Sequence, residues 1–147
     1  MEQQTLLNAT AQVTIHALPE RVWKSLTDPE EIKQYMMGAN ITTDWTLGSD
    51  IIWKGEWQGK PFEDKGKIVQ FDENKKLRYT HYSPLSGKED SPENYHTVTI
   101  SLEETEEDKT RVSLSQTGNE SEKEQEHAAQ MWQSMLDGMK KLIEGKG

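Results

Sequence analysis

Apolar positions recur along this chain with two different periods, and the switches between them mark its elements. Residues 11–17 (AQVTIHA) alternate, with Val13 and Ile15 on one side, and predict a strand. Residues 1–10 carry no such pattern and read as a flexible N-terminal arm, which leaves residues 11–147 as a single domain. Pro19 sits where a helix begins, and Val22, Trp23 and Leu26 follow at helical spacing. Asp28-Pro29-Glu30-Glu31 starts a second helix. Asp28 caps it, Pro29 suits its first position, and two acids favour the positive end of its dipole. Ile32, Tyr35 and Met36 form its apolar stripe, and Gly38 or Asn40 ends it.

From residue 41 to 117 the punctuation is that of a meander. Expected strands cover residues 44–47, 50–57, 62–71, 77–83, 95–104 and 110–116. Gly48-Ser49, Gly59-Lys60-Pro61 and Asp72-Glu73-Asn74 supply turn chemistry between them, and a polar loop spans residues 84–94. Short connections imply an antiparallel sheet. The chain closes with its longest predicted helix, residues 120–143. Ser121 and Glu124 can form a capping box, and Ala128, Met131, Trp132, Met135, Leu136, Met139, Leu142 and Ile143 make one broad stripe.

The order is strand, two short helices, six strands, long helix. A curved antiparallel sheet has one apolar face to cover, and the long helix has one stripe to bury. Wrapping the sheet around the helix satisfies both, and strong curvature leaves a cavity between them. The predicted class is α+β, in a helix-grip arrangement.

Several segments carry a resemblance. Residues 17–30 (ALPERVWKSLTDPE) end a strand at a proline-started helix and place Val-Trp ahead of Leu-Thr-Asp-Pro-Glu. Gly66-Lys67-Ile68-Val69 with Leu77-Arg78-Tyr79-Thr80, residues 110–118 (TRVSLSQTG) and Trp132 follow in order. Together they resemble the activator-of-Hsp90-ATPase-like branch of the Bet v 1/START-like (SRPBCC) proteins, from about residue 13 to 143. The resemblance implies the helix-grip fold and a hydrophobic cavity. The eukaryotic co-chaperones that name the family carry a further N-terminal domain with an Asn/Trp/His-rich signature. This chain resembles their C-terminal domain alone, so chaperone activation does not carry over on the name. Met131 stands where the family often has Gly before the helix Trp, and Tyr35 where its second short helix often ends on Trp. Met131 would either narrow the pocket or adapt to its contents through a flexible thioether.

Composition changes the picture in three ways. Only 32% of residues are hydrophobic, yet five Trp, four Tyr and two Phe supply large apolar surfaces for a core. The 26 acidic residues against 17 basic ones give a net charge of −9, the wrong sign for nucleic acid or an anionic membrane surface. With no cysteine, disulfides, thiolate catalysis and cysteine-based zinc sites are excluded, and a reducing cytoplasm fits. The first residues show no basic segment followed by an apolar one, and no apolar run approaches a membrane span. The expectation is a cytoplasmic bacterial protein.

Candidate chemistry centres on His81 and His96. His81 shares a strand face with Leu77 and Tyr79, and His96 with Val98, Ile100 and Leu102. One allowed register sets His81 opposite His96, Tyr79 opposite Val98, and Leu77 opposite Ile100. Both imidazoles then either line one end of the cavity, where they can hydrogen-bond a ligand oxygen, or sit at the sheet's wet end without a role. No short-spaced His/Glu motif completes a metal site, and His16 and His127 stand alone. Trp53 and Trp57 share a face with Ile51, while Ile52, Lys54 and Glu56 take the other, and the pattern leaves the inward face open. Trp53 is either a stacking platform or part of an exposed patch. Trp45 falls near the pocket mouth. The methionines, Met131, Met135 and Met139 with Met36 and Met37, suggest an adaptable wall.

No nucleophile elbow, phosphate loop, dinucleotide fingerprint or helical HExxH motif is present. The expectation is a non-enzymatic module that binds an apolar or aromatic small molecule (lipid-, polyketide- or flavonoid-like) without cofactor or metal. Its expected lining is Tyr35, Trp53, Tyr79, His81, His96, Met131 and Met135. The alternatives are a co-chaperone-like or stress-related interaction module acting on a chaperone or other protein, and a cyclase-like enzyme using His81 or His96.

Overall fold

A computed structural model describes residues 7–36, 38–57, 59–83, 89–91 and 94–145, with Trp57 described through its backbone only. The element order is β1 (Leu7–Ile15), α1 (Pro19–Thr27), α2 (Pro29–Tyr35), β2 (Asn40–Thr43), β3 (Asp50–Trp57), β4 (Lys60–Asp72), β5 (Lys76–His81), β6 (His96–Glu106), β7 (Lys109–Asn119) and α3 (Glu122–Glu144). The seven strands form one antiparallel sheet in the order β1-β7-β6-β5-β4-β3-β2. This is the predicted α+β helix-grip arrangement.

The helix ends follow their sequence signals. Asp28 Oδ1 accepts from Glu30 N at 2.9 Å to start α2. Ser121 Oγ accepts from Glu124 N at 3.1 Å to start α3, and Gly145, at φ 70°, closes it. Glu124 also reaches back across the cap, where its Oε1 accepts from Glu120 N at 3.2 Å.

Two strands begin four residues before their expected positions. β1 begins at Leu7, so the last four residues of the expected arm belong to the sheet, while residues 1–6 lie outside the described residues. Ala9 is fully buried opposite Gln116, and Asn119 Nδ2 donates to Leu7 O at 3.0 Å. Two alanines carry the alternation there, too small an apolar signal to read as a strand. Residues 44–47, expected as a strand, form a turn with Trp45 at φ 56°. The strand lies upstream instead, because Ile41 buries opposite Trp53, and Ser49 Oγ holds the turn through Thr46 O at 2.8 Å.

One face of the sheet carries the core: Ile15, Ile51, Ile68, Val98, Val112 and Leu114 are fully buried, beneath Leu136 and Met139 of α3. Gly66 sits where β4 and β5 cross most closely. A Cβ there would stand 1.7 Å from Thr80 O, so no other residue fits without moving backbone. The sheet's edges are protected. α3 lies along β1 and satisfies its outer edge with side chains: Gln125 Nε2 donates to Asn8 O (2.7 Å), Gln133 to Gln12 O (3.0 Å) and Lys140 to Thr14 O (2.9 Å), while Glu144 accepts from His16 N (2.9 Å). At the opposite edge β2 has only four residues, which limits pairing with another chain.

Candidate functional site

Between the sheet and the helices lies a small, partly open cavity of about 20 Å³, enough for roughly one water. Every element except β1, β4 and β7 contributes to its wall. Leu26 comes from α1, Ile32 and Tyr35 from α2, Ile41 from β2, Ile51 and Trp53 from β3, Leu77 and Tyr79 from β5, Ile100 from β6 and Met135 from α3, with Met36 and Trp45 from the connections. The lining is apolar and aromatic throughout, without one acid or base.

Four of the seven predicted residues, Tyr35, Trp53, Tyr79 and Met135, meet at this cavity. Trp53 points inward, which decides the face that the strand pattern left open, and its ring lies 5.2 Å from that of Tyr79. Tyr35 closes the wall from α2. Its hydroxyl donates to Ser25 O at 2.7 Å, and Gly138 lets it approach α3, since a Cβ there would lie 3.3 Å from that of Tyr35. Burial pushes both phenols, Tyr35 and Tyr79, well above the ordinary tyrosine value, so both stay neutral donors.

The other three residues fall elsewhere. The predicted register holds pair for pair: His81 faces His96, Tyr79 faces Val98, and Leu77 faces Ile100. Yet neither imidazole lines the cavity, which stops at Tyr79, two residues short of His81, and at Ile100, four residues short of His96. His81 Nε2 instead donates to Asp64 Oδ2 at 2.8 Å, with its ring edge-on to Trp53 at 5.1 Å. His96 Nδ1 donates to Thr117 O at 2.7 Å and rests over Gly118. Met131 is 49% exposed and takes no part in the wall. The reason is the placement of α3, which packs mainly on edge strand β1 instead of over the middle of the sheet. Met37 lies outside the described residues, Met36 does line the cavity, and Met139 is buried core.

Asp64 escaped the sequence reading. It pairs with Trp53 in register and shares the parity of Ile68, which is the signal that marks it as inward-facing. Its Oδ1 is buried without a hydrogen-bond partner among the described residues. Trp132, read as core, donates through Nε1 to Gln116 Oε1, a buried polar pair that periodicity cannot show. Among the described residues no cluster of three or more His, Asp or Glu side chains is arranged to hold a metal, and no helix is long and apolar enough to cross a membrane. A larger open groove of about 490 Å³ crosses the opposite face over Thr10, Gln12, Thr99, Ser101, Ser113 and Ser115. It has no aromatic side chain and no enclosure, so it cannot bury a ligand.

The fold and sequence have clear relatives. The solution structure of ChR145 from Cytophaga hutchinsonii matches with 51% identity over 95% of both chains and a TM-score of 0.83. The Aha1 dimer from Colwellia psychrerythraea is 23% identical, over 96% of this chain and 99% of that one, with a TM-score of 0.74. The crystal structure of Ara h 8.0201 shares the fold at 14% identity, over 96% and 99% of the two chains, with a TM-score of 0.76. No match was found among curated proteins. The family model described as "Activator of Hsp90 ATPase homolog 1-like protein" matches residues 16–144, nearly the whole helix-grip domain, and the chain belongs to that family.

Proposed function

We propose that this protein binds an apolar or aromatic small molecule between its sheet, α2 and α3. The observation that carries the reading is the convergence of Tyr35, Trp53, Tyr79 and Met135, from four separate elements, on one predominantly apolar cavity. Burial of apolar surface would drive binding. The cavity of about 20 Å³ is far below the roughly 300 Å³ or more that a drug-sized ligand fills, so a wall must move. α2 is the wall suited to that motion: it has seven residues and fully buries only Ile32, with Tyr35 partly buried, whereas α3 is tied to β1 along its length. Acidic and basic groups are lacking in the lining, which supports a binder over a catalyst. The cysteine-free composition suits the cytoplasm we take as its place of action.

Titration of labelled protein with flavonoid-, polyketide- and lipid-like compounds, followed by two-dimensional NMR, tests this. Shifts should concentrate on Ile32, Tyr35, Trp53, Tyr79 and Met135, and Met135→Trp should abolish them by filling the space. Shifts confined to the outer face, or surviving that substitution, would sink the reading.

A second reading, an interaction module of co-chaperone type, has one observation in its favour. Leu47 and Val69 are 72% and 44% exposed. They lie at one end of the sheet, where Gly48 N and Ser49 O pair with Ile68. A changed Hsp90-type ATPase rate, lost in Leu47→Ser, would favour it.

A further inference from the structure

We propose that Asp64 forms the polar end of this ligand site and selects ring-bearing ligands that carry an N–H or O–H donor, against ligands that carry a carboxylate. The inference rests on the binding reading above and specifies what it takes. Asp64 is the β4 partner of Trp53, so its side chain leaves the sheet on the same face as the cavity wall. His81 Nε2 fixes one carboxylate oxygen at 2.8 Å. The other, Oδ1, is buried and unpaired among the described residues, a costly state for an acceptor. A donor from outside the fold relieves that cost and forms a charge-assisted bond.

Aromatic contacts link this oxygen to the cavity. His81 holds the carboxylate and abuts Trp53 at 5.1 Å; Trp53 in turn abuts Tyr79 at 5.2 Å, and both Trp53 and Tyr79 line the void. A flat ring entering beside Trp53 therefore brings a substituent toward Asp64. The only basic side chain within ion-pair range of Asp64 among the described residues is His81, and its near nitrogen is already engaged with the other carboxylate oxygen. A ligand carboxylate would meet like charge there without a neutralising base. A phenolic or amino hydrogen would meet an acceptor.

The test uses the full chain with three probes of one shape: 2-naphthol, 2-methoxynaphthalene and 2-naphthoate. 2-Naphthol should bind at least roughly tenfold more tightly than the methyl ether, with 2-naphthoate weakest. Asp64→Asn turns an amide donor toward the ligand and should erase or invert that order. Should Asp64→Asn lose its dispersed spectrum, the wild-type His81 ring nitrogens decide, since 2-naphthol must shift them and the ether must not. Equal affinities in the wild type, a preference that survives Asp64→Asn, or silent His81 nitrogens would overturn the role of Asp64 and leave the apolar site standing. If none of the probes perturbs Trp53, Tyr79 or Met135, the binding reading falls and this assignment with it.

Discussion

Met131 and Met135 stand one turn apart on α3, and the fold treats them oppositely. Met135 is 8% exposed against Tyr79 and Ile100 at the cavity wall, while Met131 is 49% exposed. Truncating a buried methionine removes its transfer energy and leaves a hole, a cost of about 2–5 kcal/mol. Truncating an exposed one costs within about 0.5 kcal/mol. Urea denaturation of Met135→Ala and Met131→Ala should separate by that margin. Equal losses would mean that Met131 is covered in solution and that α3 sits further over the sheet.

Charge pairs reinforce the joint between α1 and α2. Lys24 bridges Asp28 and Glu31 at 2.8 Å each, and Arg21 Nη1 reaches Glu31 at 3.0 Å. Burial alone would raise the Glu31 pKa, but the bonds from Lys24 and Arg21 outweigh it and hold the carboxyl below its ordinary value of 4.5. A depressed carboxylate stabilises the fold above its unfolded-state pKa, and that contribution is lost as pH falls through the folded value. Glu31→Gln should therefore lower Tm by about 1–3 °C at neutral pH. The gap should close as pH drops below 4.5. A gap that persists at pH 3 would show that Glu31 acts by packing and not by charge.

Across the whole molecule, stability should be graded from the β1–α3 side to the α2 side. α3 satisfies the β1 edge through Gln125, Gln133, Lys140 and Glu144, and β6 and β7 lie between paired neighbours. α2 and the Trp45 turn sit over the four-residue strand β2 at the far edge. Native-state hydrogen exchange should find the slowest amides in β6, β7 and α3, and the fastest of the structured ones in α2 and residues 44–49. Uniform protection across α2 and α3 would remove α2 as the moving wall. Motion confined to α2 would explain how a nearly filled interior admits a ligand without exposing a sheet edge.

The element order and the caps at Asp28 and Ser121 were legible in the residues alone, and the pattern allowed the register that sets His81 opposite His96. Each of these rests on neighbours along the chain or on two adjacent strands, where period and turn chemistry suffice. The pattern also marked Tyr35, Tyr79 and Met135, because large apolar side chains on the apolar stripe or face of an element go to the interior, and it offered Trp53 as one of two possibilities. Packing settled that Trp53 faces in, since both faces of β3 carry apolar residues and the choice depends on Ile41 across the pair. The same holds for Met131, whose exposure follows from α3 lying along β1, a displacement that no helical period encodes. Asp64 was invisible for a related reason: an acid within the charged run Glu63-Asp64-Lys65 reads as solvated until the fold sets Trp53 beside it and His81 within hydrogen-bonding distance.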